Sequence, residues 1–276
     1  MRIFWAVVAI AILIHTGEIS DLSFGELFEG RGRMVTYISG YWFPDFTDSG
    51  LPRLSGECPS KYISAPFLFN LQLCIPTAIE GYVFDIIQTV GMGIWGTLIS
   101  AIVAIPLSII AAENVAPFFV VFIIRIFLGA MRVINEFVFA LIFIVAVGLG
   151  PFAGVLALFV HTTGTLGKLF SEAIEEIEPG PVDGIRATGA SKLQEVIFGV
   201  LPQVLPLWTS YTLYRFEANI RSAAVLGLVG AGGIGLTLFQ SMRSFQNQKV
   251  AAILILLTIT VVGIDTISAK IRQRLV

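Results

Sequence analysis

Residues 171–202 read SEAIEEIEPGPVDGIRATGASKLQEVIFGVLP, and the grammar of this stretch decides the fold. Residues 172–178 carry four acids on a helical run that Pro179, Gly180 and Pro181 stop. A short helix restarts over residues 182–188, and Gly189 supplies the permissive backbone of a C-terminal cap. Ser191 opens the next helix, with Gln194 three residues on as its capping-box partner, and Pro202 ends or kinks that helix. The expected product is a pair of short helices meeting at an elbow on the cytoplasmic face. On physical grounds alone, the same residues also suit a connecting loop whose prolines and glycines merely punctuate.

Outward from the elbow the chain is apolar. Of its 276 residues, 56% are hydrophobic and 13% charged, and the mean hydropathy is +0.87. A soluble domain carries about a quarter charged residues, so the composition points to a polytopic membrane protein. Net charge is −2 with a pI near 5.7, which leaves no global basic field to hold nucleic acid. Cys58 and Cys74 lack zinc-ligand spacing, and His15 and His161 are the only histidines, so no metal site or cofactor is expected.

A membrane helix needs about 20 mainly apolar residues. Residues 86–112 meet that test without a charge, as do 196–214 and 250–269, the last with Asp265 near its end. Residues 137–167 are also uncharged, but Gly148, Gly150 and Pro151 divide them into two spans joined by a tight turn. Residues 222–242 hold five glycines between Gly227 and Gly235 and read as a broken, protein-packed segment. Residues 3–14 read as a short first membrane helix; a signal-peptide core fits less well, because no small-x-small cleavage site follows Thr16. About six spans result.

Lys270, Arg272 and Arg274 form the densest basic cluster and place the C-terminus in the cytoplasm. Counting backwards puts Lys168, Arg186, Lys192 and Arg125 on the same side. Residues 17–82 are then external, with eight acidic and four basic residues. Cys58 and Cys74 either pair there or remain free thiols. The chain divides into 1–82, a short membrane helix with an external segment, and 83–276, a transmembrane domain.

The spacing of Asp183, Gly184 and Ile185, three residues to Gly189, then nine to Gly199, Leu201 and Pro202 resembles the EAA loop of ABC importer permeases. Asp183 stands for the loop's Glu, Gly184 and Ile185 for its two Ala, and Gly199 for its Ile. Further stretches are similar to the PhnE family of phosphonate permeases: residues 178–190, 132–136, 147–159, 229–235 and 43–46. The likeness covers about 84–276 well and the first 80 residues only in places, with 50–75 resembling an insertion. Phosphite and phosphate permeases share the pattern. The resemblance implies an all-α, MetI-like type I ABC importer permease. It also implies a second copy of the chain, a dimer of ATP-binding ABC subunits, a periplasmic or lipoprotein phosphonate-binding protein, and residence in a bacterial inner membrane. It assigns ATPase coupling to Asp183, Gly184, Ile185, Ala187, Gly189, Ala190, Leu201 and Pro202.

Charges in a bilayer face a cavity, a partner or an interface. Arg132, Asn135 and Glu136 open the third span. Arg132 and Glu136 are four apart, so on one helix they share a face, either as an anion path or as a structural pair. His161, in the fourth span, serves either an oxyanion or a packing hydrogen bond. Arg215 with Asn219 and Glu217 with Arg221 are i,i+4 pairs on different faces. Guanidinium forks suit phosphorus oxyanions, while bracing helices is the alternative for each. The 229–235 glycines lack the spacing and strand of a nucleotide loop, and no Gly-Lys-Ser/Thr exists, so ATP hydrolysis belongs to other chains. Other readings are a permease for methionine or another small solute, a secondary transporter, which should show two similar halves, and an intramembrane enzyme.

Overall fold

The computed structural model describes Trp5, residues 30–45 and residues 81–274. The expected helix at 3–14, Phe46, both cysteines and the segment near 50–75 lie outside the described residues. Two units are distinguished, divided at Pro44 and Asp45. In the first, α1 (Arg31–Ser39) buries none of its residues.

The second unit begins with α2 (Tyr82–Ala111), whose 30 residues span about 45 Å at 1.5 Å per residue, enough to cross a bilayer tilted. Then follow α3 (Phe118–Val133), α4 (Glu136–Val147), α5 (Pro151–Glu175), α6 (Pro179–Ala187), α7 (Leu201–Leu226), α8 (Gly233–Arg243) and α9 (Asn247–Arg272). Among the described residues all regular structure is helical. Four helical stretches are long and apolar enough to cross a membrane: α2, α5, α9 and the run Lys192–Val229 that contains α7. A fifth crossing forms if α3 and α4, bent by 86° at their junction, are counted as one.

That junction corrects the expected third span. Twelve residues of α4 are too short to cross alone. The apolar stretch before it, expected as a connection holding Arg125, is itself helical. Ile134 and Asn135 are extended, and the Asn135 side chain accepts the Phe137 N–H at 2.9 Å as an N-cap. Arg132 therefore ends one helix and Glu136 starts another, and their expected shared helical face does not exist. The turn between α4 and α5 falls at Gly148–Gly150 as expected, with Pro151 at the first helical position.

α5 is the central helix and packs on α2, α3, α4 and α7. Small residues bring the backbones together. A Cβ on Gly164 would stand 2.7 Å from the Arg132 nitrogen and 2.7 Å from the Leu128 carbonyl oxygen, so α3 crosses α5 with no room for a side chain. Asn219 of α7 is 1% exposed and closes the polar interior: it donates to Thr97 of α2 at 2.8 Å and accepts from Thr162 of α5 at 2.9 Å. Near the elbow the Phe170 and Trp208 rings stack at 4.7 Å, and the Trp208 indole donates to the Phe170 carbonyl at 3.3 Å.

The glycine run forms a 3-10 turn at Gly227–Val229 and a bend before α8. The first amides of α8 are already taken: Gly233 N–H donates to Gln88 at 2.7 Å and Ile234 N–H to Thr89 at 2.9 Å. This segment is helix packing.

Gly164→Ala should lower the stability of the detergent-solubilised protein by about 1–3 kcal/mol, the usual cost of overpacking. Gly91→Ala, whose added Cβ meets nothing within 4 Å, should not lower it. Thermal unfolding of the two variants side by side checks this, and equal melting would contradict the close α3–α5 crossing.

Candidate functional site

The elbow is built from prolines outward. Pro179 occupies the first turn of α6, where a missing N–H costs nothing, so the helix starts three residues before the expected position. α6 ends at Thr188, and Gly189 turns the chain at φ +82°, a conformation that costs other residues roughly 1–2 kcal/mol. Ser191 then caps a short turn, Lys192–Gln194, and its N–H donates to the Gln194 side chain at 2.8 Å, completing the expected capping box. Pro202, expected to end or kink this helix, does not end it; the helical ladder changes to a π-turn just before it. A π-turn over Glu195–Val200 leads directly into α7, and Pro202 lies in the first turn of that helix, where it is tolerated.

α6 has no buried residue. Val182 and Ile185 turn half-buried toward the bundle, while Asp183, Gly184, Ala187 and Gly189 are exposed and Ala190 is half-buried. Leu201 packs against the core beside Phe170 and Trp208, and Pro202 is exposed. Two of the departures from the EAA pattern, Ile185 and Gly199, face one another. A Cβ on Gly199 would meet the Val182 backbone at 3.2 Å and Ile185 Cδ1 at 3.4 Å.

Behind α6 lies an ion network that the sequence reading did not single out. Glu195, 6% exposed, receives the Arg186 guanidinium on both oxygens, at 3.2 and 3.1 Å, and Lys192 Nζ at 3.2 Å. Arg186 also donates to Asp183 at 3.0 Å. The Glu195 carboxylate pushes the Arg186 pKa above its ordinary value. Gln203 fastens the other side: its amide oxygen accepts the Glu178 N–H at 3.1 Å and its amide nitrogen donates to the Gly199 carbonyl at 2.7 Å. Opposite charges flanking a glycine turn were a visible signal for Arg186 and Glu195; nothing local marked Gln203. A cavity of about 470 Å³ separates the elbow from the α2–α3 connection, lined by Asn114, Glu175, Val182, Arg186, Glu195 and Val200 among others.

The candidate path residues divide. Glu136 and His161 come together, with Ser222 bonded to Glu136, while Arg215 lies two turns before Ser222 on α7. The Ser222 hydroxyl donates to Glu136 Oε1 at 2.6 Å, His161 Nε2 stands 3.5 Å from Glu136 Oε2, and His161 Nδ1 lies 3.0 Å from the Ile134 carbonyl oxygen. The Arg215 Nε is buried without a hydrogen-bond partner among the described residues. Asn219 belongs instead to the packing hub, and Asn135 caps α4. Arg221 braces α7 against α9 through both oxygens of Asp265 at 3.1 Å, and Glu217 does the same with Arg272 at 2.9 Å. Arg132 is exposed at the end of α3. Among the described residues no group of three His, Cys, Asp or Glu could hold a metal ion.

Residues 104–276 match the family model described as binding-protein-dependent transport system inner membrane component. The chain is 60% identical over 121 residues to the putative cryptic phosphonate transport system permease protein PhnE2 of Escherichia coli (strain K12), covering 44% of this chain and 99% of that one. It is 41% identical over 203 residues to the phosphite transport system permease protein PtxC of Stutzerimonas stutzeri, covering 72% and 74%. In fold it is similar to a chain of the inward-facing MetNI methionine ABC transporter, with a TM-score of 0.62, 20% identity, and coverage of 71% of this chain and 96% of that one. With its family model spanning more than half its length, the chain belongs to the binding-protein-dependent transport system inner membrane components and is a multi-pass membrane permease.

Proposed function

We propose that the protein is the permease of an ABC importer for phosphonate, phosphite or phosphate, working as a homodimer in a bacterial cytoplasmic membrane with its C-terminus inside. A loaded binding protein delivers the anion to the external face. Two ATP-binding subunits on the other face hydrolyse ATP, and their closure moves the elbow and rocks the bundle between two access states. In this reading residues 83–276 are the transmembrane domain, and residues 1–82 supply a first helix and an external segment.

The observation that carries the coupling assignment is the asymmetry of α6. Its outer face, with Asp183, Gly184 and Ala187, is exposed, as is Gly189 just beyond it, while its inner side is tied to the π-turn through Glu195 and the Ile185–Gly199 contact and to α7 through Gln203. A short helix with an outer face exposed among the described residues, yet tied at its back to a membrane-crossing helix, suits receiving force from a partner. The substrate class rests on the relatives named for phosphonate and phosphite transport.

Gly189→Arg should abolish uptake while leaving protein in the membrane, because the added side chain meets open space and the backbone strain at φ +82° costs only about 1–2 kcal/mol. Uptake assays paired with immunoblots of membrane fractions check it, and normal transport would remove the elbow from the coupling path. Glu195→Ala should separate the two activities: binding-protein-stimulated ATP hydrolysis persists while anion uptake falls by about tenfold, equivalent to ~1.4 kcal/mol of lost coupling. Proportional loss of both would argue for simple unfolding. Labelled phosphate uptake in cells with and without the gene, with phosphite, methylphosphonate and methionine as competitors, tests the cargo. Competition by methionine alone would move the protein to a different substrate class.

A further inference from the structure

At the end of the bundle opposite the elbow, α8 turns back into α9 beside the first residue of α2. Glu113, just past the other end of α2, donates its N–H to Glu175 at 2.8 Å beside the elbow cavity, so Tyr82 stands at the far end. A cavity of about 230 Å³ opens there, against the ~10–15 Å³ that admits one water. Every side chain lining it ends in a hydrogen-bonding group, and none is a carboxylate: Ser241, Ser244, Gln240, Gln246 and Lys249, with Tyr82 and Thr237 at the α2 side.

The local chain turns donors toward that space. Ser241 is 6% exposed, lines the cavity, and has no hydrogen-bond partner for its hydroxyl among the described residues. A buried hydroxyl left in that state is costly until a ligand or water completes it. The bend after α8 meanwhile uses up acceptors. The N–H groups of Ser244, Phe245 and Gln246 donate to the carbonyls of Gln240, Met242 and Ser241 at 3.0–3.1 Å, a Schellman closure. Phe245 takes the left-handed place usual for glycine, at φ +56°, with its side chain exposed. α9 starts directly beyond, and the side chain of its N-cap, Gln246, caps no amide. Gln246 and Lys249 both line the cavity, so the positive end of this 26-residue helix forms part of its wall. Thr237 spends its hydroxyl on Asp85, whose carboxylate is not part of the lining. Lys249 is engaged by another group as well, so the argument rests on the neutral donors and the helix end.

We propose that this cavity is an entry site for a small tetrahedral phosphorus oxyanion, held by Ser241, Ser244, Gln240 and Gln246 at the positive end of α9. A metal cation asks for carboxylates, and an apolar amino acid asks for an apolar wall; the lining offers neither. Hydroxyl and amide donors grip an oxyanion without a dedicated counter-charge, so the anion is passed on and not trapped. This deepens the transport reading above and rests on it for the anion's role as cargo. The phosphate of a lipid headgroup presents the same chemistry, and the test separates the two sources.

The test uses the full-length permease in detergent, without its binding protein, and labelled inorganic phosphate as the probe. The wild type should bind phosphate saturably. Ser241→Ala should weaken binding by about tenfold, the usual worth of a hydrogen bond to a charged group. Gln246→Glu should abolish it by setting a carboxylate in the lining. No saturable binding by the wild type, or unchanged binding by both variants, overturns the proposal. Should Ser241→Ala fail to accumulate, Gln246→Glu decides alone, because Gln246 is exposed and its side chain has no hydrogen bond to lose among the described residues.

Phosphite and methylphosphonate should displace the bound phosphate. Displacement by short-chain phosphatidic acid alone would assign the cavity to a lipid headgroup and overturn the entry site. Binding that Gln246→Glu removes, without gene-dependent uptake of phosphate, phosphite or methylphosphonate, keeps the site and overturns the transport reading. Gene-dependent uptake without saturable binding by the permease does the reverse.

Discussion

Helices in a bilayer receive little hydrophobic help in finding one another, because lipid tails are as apolar as leucine. What remains is close packing and hydrogen bonding, and both converge on α5. Its glycines let α2 and α3 approach until backbone meets backbone, as at Gly164 against Leu128 and Arg132. Its Thr162 completes the Asn219–Thr97 link that fixes α7 against α2. The rest of the bundle depends on that arrangement. The position of α3 sets where α4 must begin, and the position of α7 sets where the elbow attaches.

The elbow is held together by close packing as well as by charge. Between α6 and the π-turn, Ile185 and Val182 occupy the space beside Gly199. The π-turn matters in the same way. It begins at Glu195, whose carboxylate is buried and gathers Arg186 and Lys192. Ion pairs with exposed cations contribute little by themselves, so the network's main effect is to fix where α6 sits against the π-turn.

The sequence made the helices legible because apolar length is the dominant signal in a membrane protein. The spans at 86–112 and 250–269 emerge as α2 and α9 with boundaries shifted by a few residues, and the break in the glycine run emerges too. The Gly189 turn and the Ser191–Gln194 capping box follow from local chemistry and were read correctly. Two things were not legible. The α3–α4 break has no proline or glycine at its centre; it is set by Asn135 capping and the tight α3–α5 crossing, which only the folded chain reveals. The i,i+4 pairs on α7 were visible, but their partners Asp265 and Arg272 lie some 40 to 55 residues away and are chosen by packing of α7 on α9.

The same break explains how a carboxylate can be kept inside the bundle. A charged side chain at the centre of a membrane helix costs roughly 2.5–3.5 kcal/mol on insertion scales. A continuous helix through 118–147 would carry Glu136 deep within a span with its backbone fully satisfied and no dipole end to stabilise it. Starting α4 at Glu136 instead places the carboxylate at the positive end of a helix dipole, within reach of the Ser222 hydroxyl at 2.6 Å. The bend thus lowers the cost of holding the anion.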